Sequence, residues 1–76
     1  MNDYEKRLAV AIGKAIGDRR EAVGMTQRRL GAAIGVSFQQ IQKYETGANR
    51  IASSKLMLAA EALKCDVVAN VLEQLV

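Results

Sequence analysis

Between Met25 and Gly47 the chain carries one set of helix start and stop signals twice in immediate succession, and nothing else in it restricts the fold as strongly. Thr26 stands where an N-cap belongs, its hydroxyl able to accept from a first-turn backbone N–H. Met25, just before it, is placed to pack on Leu30 as a hydrophobic staple. Gly35 ends the segment after about two turns, because glycine enters the left-handed conformation that closes helices. The pattern then restarts, with Val36 before the cap Ser37, Gln40 completing a capping box, Ile41 as staple partner and Gly47 as the stop. Two short helices joined through Gly35-Val36-Ser37 make a helix-turn-helix. Leu30, Ile34, Val36, Ile41 and Tyr44 fall where the crossing helices would face a shared core, and Gly31 where they must approach closely.

The flanking sequence reads as helix too. Asn2 followed by Glu5 is a capping box, and behind it Leu8, Ile12, Ile16 and Val23 trace an apolar stripe with Ala11 and Ala15 beside it, up to a stop at Gly24. Gly13 and Gly17 each weaken that helix by about 0.5–1 kcal/mol, which implies a packing reason for them. Ser53 is the expected N-cap of a fourth helix carrying Leu56, Met57, Ala60 and Leu63. Asp66 is the expected cap of a fifth, carrying Val67, Val68, Val71, Leu72 and Leu75. With no linker, repeat or low-complexity stretch, the expectation is an all-α, compact five-helix domain over residues 1–76.

Composition narrows the function classes. In a chain of 76 residues, no sensory domain is expected beside a binding domain. With no His and the single Cys65, a disulfide framework, a Cys/His zinc site and the usual general base are all missing. No Gly-rich phosphate loop or metal-spaced acidic cluster appears, so neither an enzyme nor a cofactor is expected. No apolar run approaches the roughly 18 residues of a membrane span, and Met1-Asn2-Asp3-Tyr4-Glu5 does not resemble a secretory signal. The expectation is a soluble, cytoplasmic protein. Its charge is uneven, with residues 1–50 at +4 and residues 51–76 at −1, which suggests one surface for a polyanion and another for something apolar.

A helical wheel over the third helix sharpens this. Ile41, Tyr44 and Glu45 share the inward arc; Gln39, Gln42, Lys43 and Thr46 face outward, with Phe38 and Gln40 on the flanks. A glutamine-rich face with one cation suits base edges, since Gln pairs bidentately with adenine and Lys with guanine. On an arbitrary helix the same residues would simply be solvated. Arg28 and Arg29 occupy the first turn of the second helix, where the macrodipole disfavours each by about 0.3–1 kcal/mol. A neighbouring phosphate chain would compensate; the alternative is that salt screens them.

Thr26-Gln27, Leu30, Gly31, Gly35, Val36-Ser37, Ile41, Glu45 and Gly47 together resemble the helix-turn-helix of the Xre/Cro/phage-repressor family, over about residues 10 to 70. The resemblance implies a lambda-repressor-like DNA-binding domain that regulates transcription on double-stranded DNA. It implies that Ser37, Phe38, Gln39, Gln40, Gln42 and Lys43 meet bases, and that Gln27, Arg28, Arg29, Asn49 and Arg50 meet phosphates. In this family an arginine placed like Arg20 pairs with a glutamate placed like Glu45, so a structural ion pair is expected; a phosphate contact is the alternative for Arg20. Phe38 either meets a thymine methyl or packs back onto the second helix, and exposure with DNA contact is the favoured reading. Tyr44 is expected in the core with its hydroxyl at phosphate or solvent, and Cys65 as a buried, inert thiol.

The fifth helix has more apolar surface than a small monomer easily covers. Val68, Val71, Leu72 and Leu75 either dock on the first helix or form a twofold homodimer seam, and different edges can do both. The resemblance favours a homodimer on a palindromic operator, acting as a repressor or autoregulator, with no small-molecule ligand. The rivals are an antitoxin-like module whose main partner is a protein, and a membrane-surface protein. The basic residues accompany helix caps rather than one continuous helix face, which counts against the membrane.

Overall fold

The computed structural model describes residues 2–75, which form α1 (Asp3–Ala22), α2 (Gln27–Ile34), α3 (Phe38–Thr46), α4 (Ser53–Leu63) and α5 (Val67–Leu75). No strand occurs among the described residues, so the architecture is all-α. The caps act as their chemistry requires. The side chains of Asn2, Thr26 and Ser37 accept from the backbone N–H of Glu5, Arg29 and Gln40 respectively. Asp66 does the same for Ala69 at the start of α5. Gly35 and Gly47 end their helices at φ 80° and 79°, the left-handed region that glycine enters without strain.

Some expectations fail locally. Ser53 is the first helical residue of α4 rather than its cap; Ala52 holds the cap position and offers no side-chain acceptor. Val23 and Met57, read as stripe residues, are exposed, because Val23 lies past the last residue of α1 and Met57 turns away from the bundle. Neither capping box closes reciprocally. The Glu5 side chain accepts from Arg50 and that of Gln40 from Asn49, so both reach across the fold instead of back to their own helix starts.

The core has two parts. Ile16, Leu30, Ile34, Ile41, Tyr44, Ala59 and Leu63 fill the space between α1, α2, α3 and α4, with Met25 and Val36 packed against them as the staples require. Ala11, Ala15, Val67 and Val71 join α5 to α1. Cys65 is half-buried and touches both clusters.

Small residues set the close approaches. A Cβ on Gly13 would collide with the Tyr44 carbonyl oxygen and stand 2.8 Å from that of Glu45, so α1 crosses the end of α3 backbone to backbone. A Cβ on Gly31 would stand 2.5 Å from the Val36 carbonyl oxygen, which lets the turn fold directly over α2. Two cations close helix ends. Lys55 donates to the Ile34 carbonyl at 2.8 Å, and Arg19 to the Leu63 carbonyl at 2.9 Å. Both sit at the negative ends of helix dipoles.

Candidate nucleic-acid interface

The fold turns the inward arc of α3 into the core and leaves its other face open. Ile41 and Tyr44 are buried, whereas Gln39, Gln42, Lys43 and Thr46 are all exposed, as the wheel requires. Ser37 is exposed and caps the helix, so its Oγ already accepts one backbone N–H. Gln40 is half-buried on the flank, where the Asn49 amide approaches its Oε1 at 3.5 Å. That contact joins α3 to the loop that follows it. Arg50, on the same loop, is exposed and donates to Glu5 Oε2 at 3.4 Å.

The start of α2 lies beside the start of α3. The guanidinium carbon of Arg28 stands 4.3 Å from the centroid of the Phe38 ring, within cation–π range. Phe38 is thus half-buried and packed against α2, which corrects the favoured reading of an exposed ring. Arg29 is exposed next to it. The first turns of α2 and α3 contain no acidic residue, so the partial positive charge of both helix ends is uncompensated from within those turns. Backbone N–H groups and guanidinium groups therefore share one surface suited to anions.

Behind this surface lies a charged cluster. Arg20 donates to Glu45 at 2.6 Å and 3.0 Å and to the Met25 carbonyl at 2.8 Å. Both side chains of the pair are only 12% exposed. The hydrogen bond to Glu45 pushes the Arg20 pKa above the ordinary arginine range, against the opposing pull of burial. Gln27 Nε2 also donates to Glu45 Oε1, at 3.1 Å. One end of the Gln27 amide thus faces inward, an engagement that sequence reasoning missed because the residues are far apart in the chain.

The four apolar residues of α5 separate by face. Val71 is buried against α1 and Leu75 is half-buried against the same cluster, so both dock on the first helix. Val68 and Leu72, one helical turn apart, stay 63% and 58% exposed. No helix among the described residues is long and apolar enough to cross a membrane.

Residues 16–69 match the helix-turn-helix family model, a window that contains α2, the turn and α3 whole. The chain belongs to the Xre/Cro-type helix-turn-helix family. It is 49% identical over 55 residues to the HTH-type transcriptional regulator y4wC of Sinorhizobium fredii, a match covering 72% of this chain and 38% of that protein. Over 52 residues it is 52% identical to a transcriptional regulator in the ATPase CF(0) region of Rhodospirillum rubrum, covering 68% of this chain and 48% of that one. The chain therefore spans about half or less of the length of these relatives. Among solved structures, the clp gene regulator ClgR of Corynebacterium glutamicum superposes with a TM-score of 0.81 at 30% identity, covering 87% of this chain and 70% of that chain. The family is one of DNA-binding transcriptional regulators, not of enzymes.

Proposed function

We propose that this protein is a cytoplasmic, sequence-specific regulator that binds a palindromic operator as a homodimer and represses by occluding a promoter, its own included. One observation carries the reading. The glutamine-rich face of α3 is uncovered by any described part of the chain, and it stands next to two exposed arginines at an acid-free helix start. In this reading Gln39, Gln42 and Lys43 meet base edges, with Ser37, Phe38 and Gln40 at the borders of the contact. Arg28, Arg29, Asn49 and Arg50 grip phosphates, joined by the outward end of the Gln27 amide.

The dimer reading rests on Val68 and Leu72 and on size. Twofold recognition needs two reading helices about 34 Å apart, and the longest extent of the described chain is 30 Å. A single copy does not span two half-sites, and a second copy seated on the α5 face supplies the second helix. The test is selection of duplexes from a randomised pool by the intact chain, followed by gel shift on the enriched sequence and on the DNA upstream of its own gene. Enrichment of an inverted repeat supports the reading. Binding that discriminates no sequence would sink it.

A further inference from the structure

The Arg28–Phe38 stack joins two residues that stand in different parts of the proposed interface. Arg28 belongs to the first turn of α2, and Phe38 is the first residue of α3, immediately after its cap. The N-terminal residues of a recognition helix are those that reach base edges. A benzyl side chain has neither donor nor acceptor, so it reads nothing there by hydrogen bonding. The apolar feature that the major groove offers it is the C5 methyl group of a pyrimidine. Phe38 is half-buried, with Arg28 over its ring face at 4.3 Å, so the ring keeps some exposure while its orientation is restrained from the α2 side.

The same contact gives Arg28 a local partner. At the positive end of α2 a cation is disfavoured, and the electron-rich ring face offsets part of that cost. Arg29, its neighbour, shows no such contact and remains exposed.

Building on the DNA-binding reading above, we propose that Phe38 recognises a pyrimidine C5 methyl group and that Arg28 acts through it as a positioning residue. Arg28 holds the ring in place before DNA arrives, so it contributes to sequence discrimination and not only to phosphate affinity. Loss of a purely electrostatic Arg28 would weaken every sequence by one common factor.

The test uses the intact chain and the duplex it enriches from a random pool. Thymines are replaced one at a time by uracil, and cytosines one at a time by 5-methylcytosine, with affinities measured at fixed salt. Removing or adding one methyl group at the contacted position changes the affinity of the parent protein by about fourfold, the worth of one buried methyl. Loss on uracil replacement identifies thymine as the source; gain on methylation identifies 5-methylcytosine. In Arg28→Ala the ratio between methylated and unmethylated duplex falls to about twofold or less, while binding to all duplexes weakens together. Phe38→Leu, which keeps an apolar side chain but loses the ring, separates stacking from general packing: it also loses the ratio, with thermal melting confirming that both variants fold. Parent protein indifferent to every methyl change, or a ratio unchanged in Arg28→Ala, overturns the proposal while leaving sequence-specific binding intact. A chain that enriches no duplex at all overturns the underlying reading as well.

Discussion

Arg20 on α1 holds Glu45 near the end of α3 through two hydrogen bonds, from Nε at 2.6 Å and Nη2 at 3.0 Å, while its Nη1 donates to the Met25 carbonyl just ahead of α2. One guanidinium therefore ties the ends of three segments whose relative placement sets the reading face. Because both partners are only 12% exposed, removing one leaves the other charged and poorly solvated. Arg20→Ala is expected to lower stability by about 3 kcal/mol, near the lower bound for breaking such a pair. Urea unfolding of Arg20→Ala, Glu45→Ala and the double variant measures the coupling; a single-variant cost under about 0.5 kcal/mol, as for an exposed pair, would remove the structural role. The raised Arg20 pKa adds a sign. Its contribution is present at neutral pH and is lost on the alkaline side only as pH rises through the folded value, so the arginine does not titrate away near neutrality.

Gln39 is exposed on α3, so its truncation is expected to leave folding alone. Gln39→Ala is expected to weaken binding to the selected duplex by about 1–3 kcal/mol and to relax preference at a single base pair. Titration of the selected duplex and of each single-position variant is the measurement. Equal losses on selected and random DNA would remove Gln39 from the base-reading set.

Arg29 supplies the contrast. It is exposed at the acid-free start of α2, and its replacement by alanine is expected to weaken all sequences alike. The slope of log affinity against log salt should shrink by about one unit. An unchanged slope would place Arg29 away from phosphate.

Gly13 and Gly24 separate close approach from backbone conformation. A Cβ on Gly13 meets the Tyr44 and Glu45 carbonyl oxygens, whereas one on Gly24 meets nothing within 4 Å and suffers only from φ +71°. Gly24→Ala is expected to cost about 1–2 kcal/mol. Gly13→Ala should cost more, at or beyond the upper end of about 1–3 kcal/mol, because two backbones must separate. Thermal melting ranks them, and the reverse order would mean that α1 and α3 part easily.

Leu72 and Val71 are neighbours on α5 with opposite expected effects. Leu72 is 58% exposed and Val71 is buried against α1. Leu72→Glu is expected to shift the protein to monomer in sedimentation without unfolding it, and to weaken operator binding through loss of the second half-site contact. Val71→Ala is expected instead to destabilise the fold by about 1–3 kcal/mol through lost packing. Dimers that persist in Leu72→Glu would place the interface elsewhere.

The helices were legible because their signals are local. Thr26, Gly35, Ser37 and Gly47 act on backbone groups within a few residues of themselves, and each stands where its chemistry put it. The outward face of α3 was legible for a similar reason, since one buried arc through Ile41 and Tyr44 determines what lies opposite. The partners of long side chains were not. Glu5 and Gln40 were read as reaching back to their own helix starts, yet they meet Arg50 and Asn49. Nor was the aromatic neighbour of Arg28, whose guanidinium lies over the Phe38 ring.

Caps, glycines and apolar spacing thus determined five α-helices and the helix-turn-helix, through interactions spanning three or four residues at a time. Only the tertiary structure decided that Val71 and Leu75 serve the protein's own core while Val68 and Leu72 face outward, because helical spacing shows that a face is apolar and not what covers it. It likewise decided that Lys55 and Arg19 close the ends of α2 and α4 from 21 and 44 residues away. A flexible cation takes whichever carbonyl the packing of other elements brings within its reach, and no local signal announces that choice.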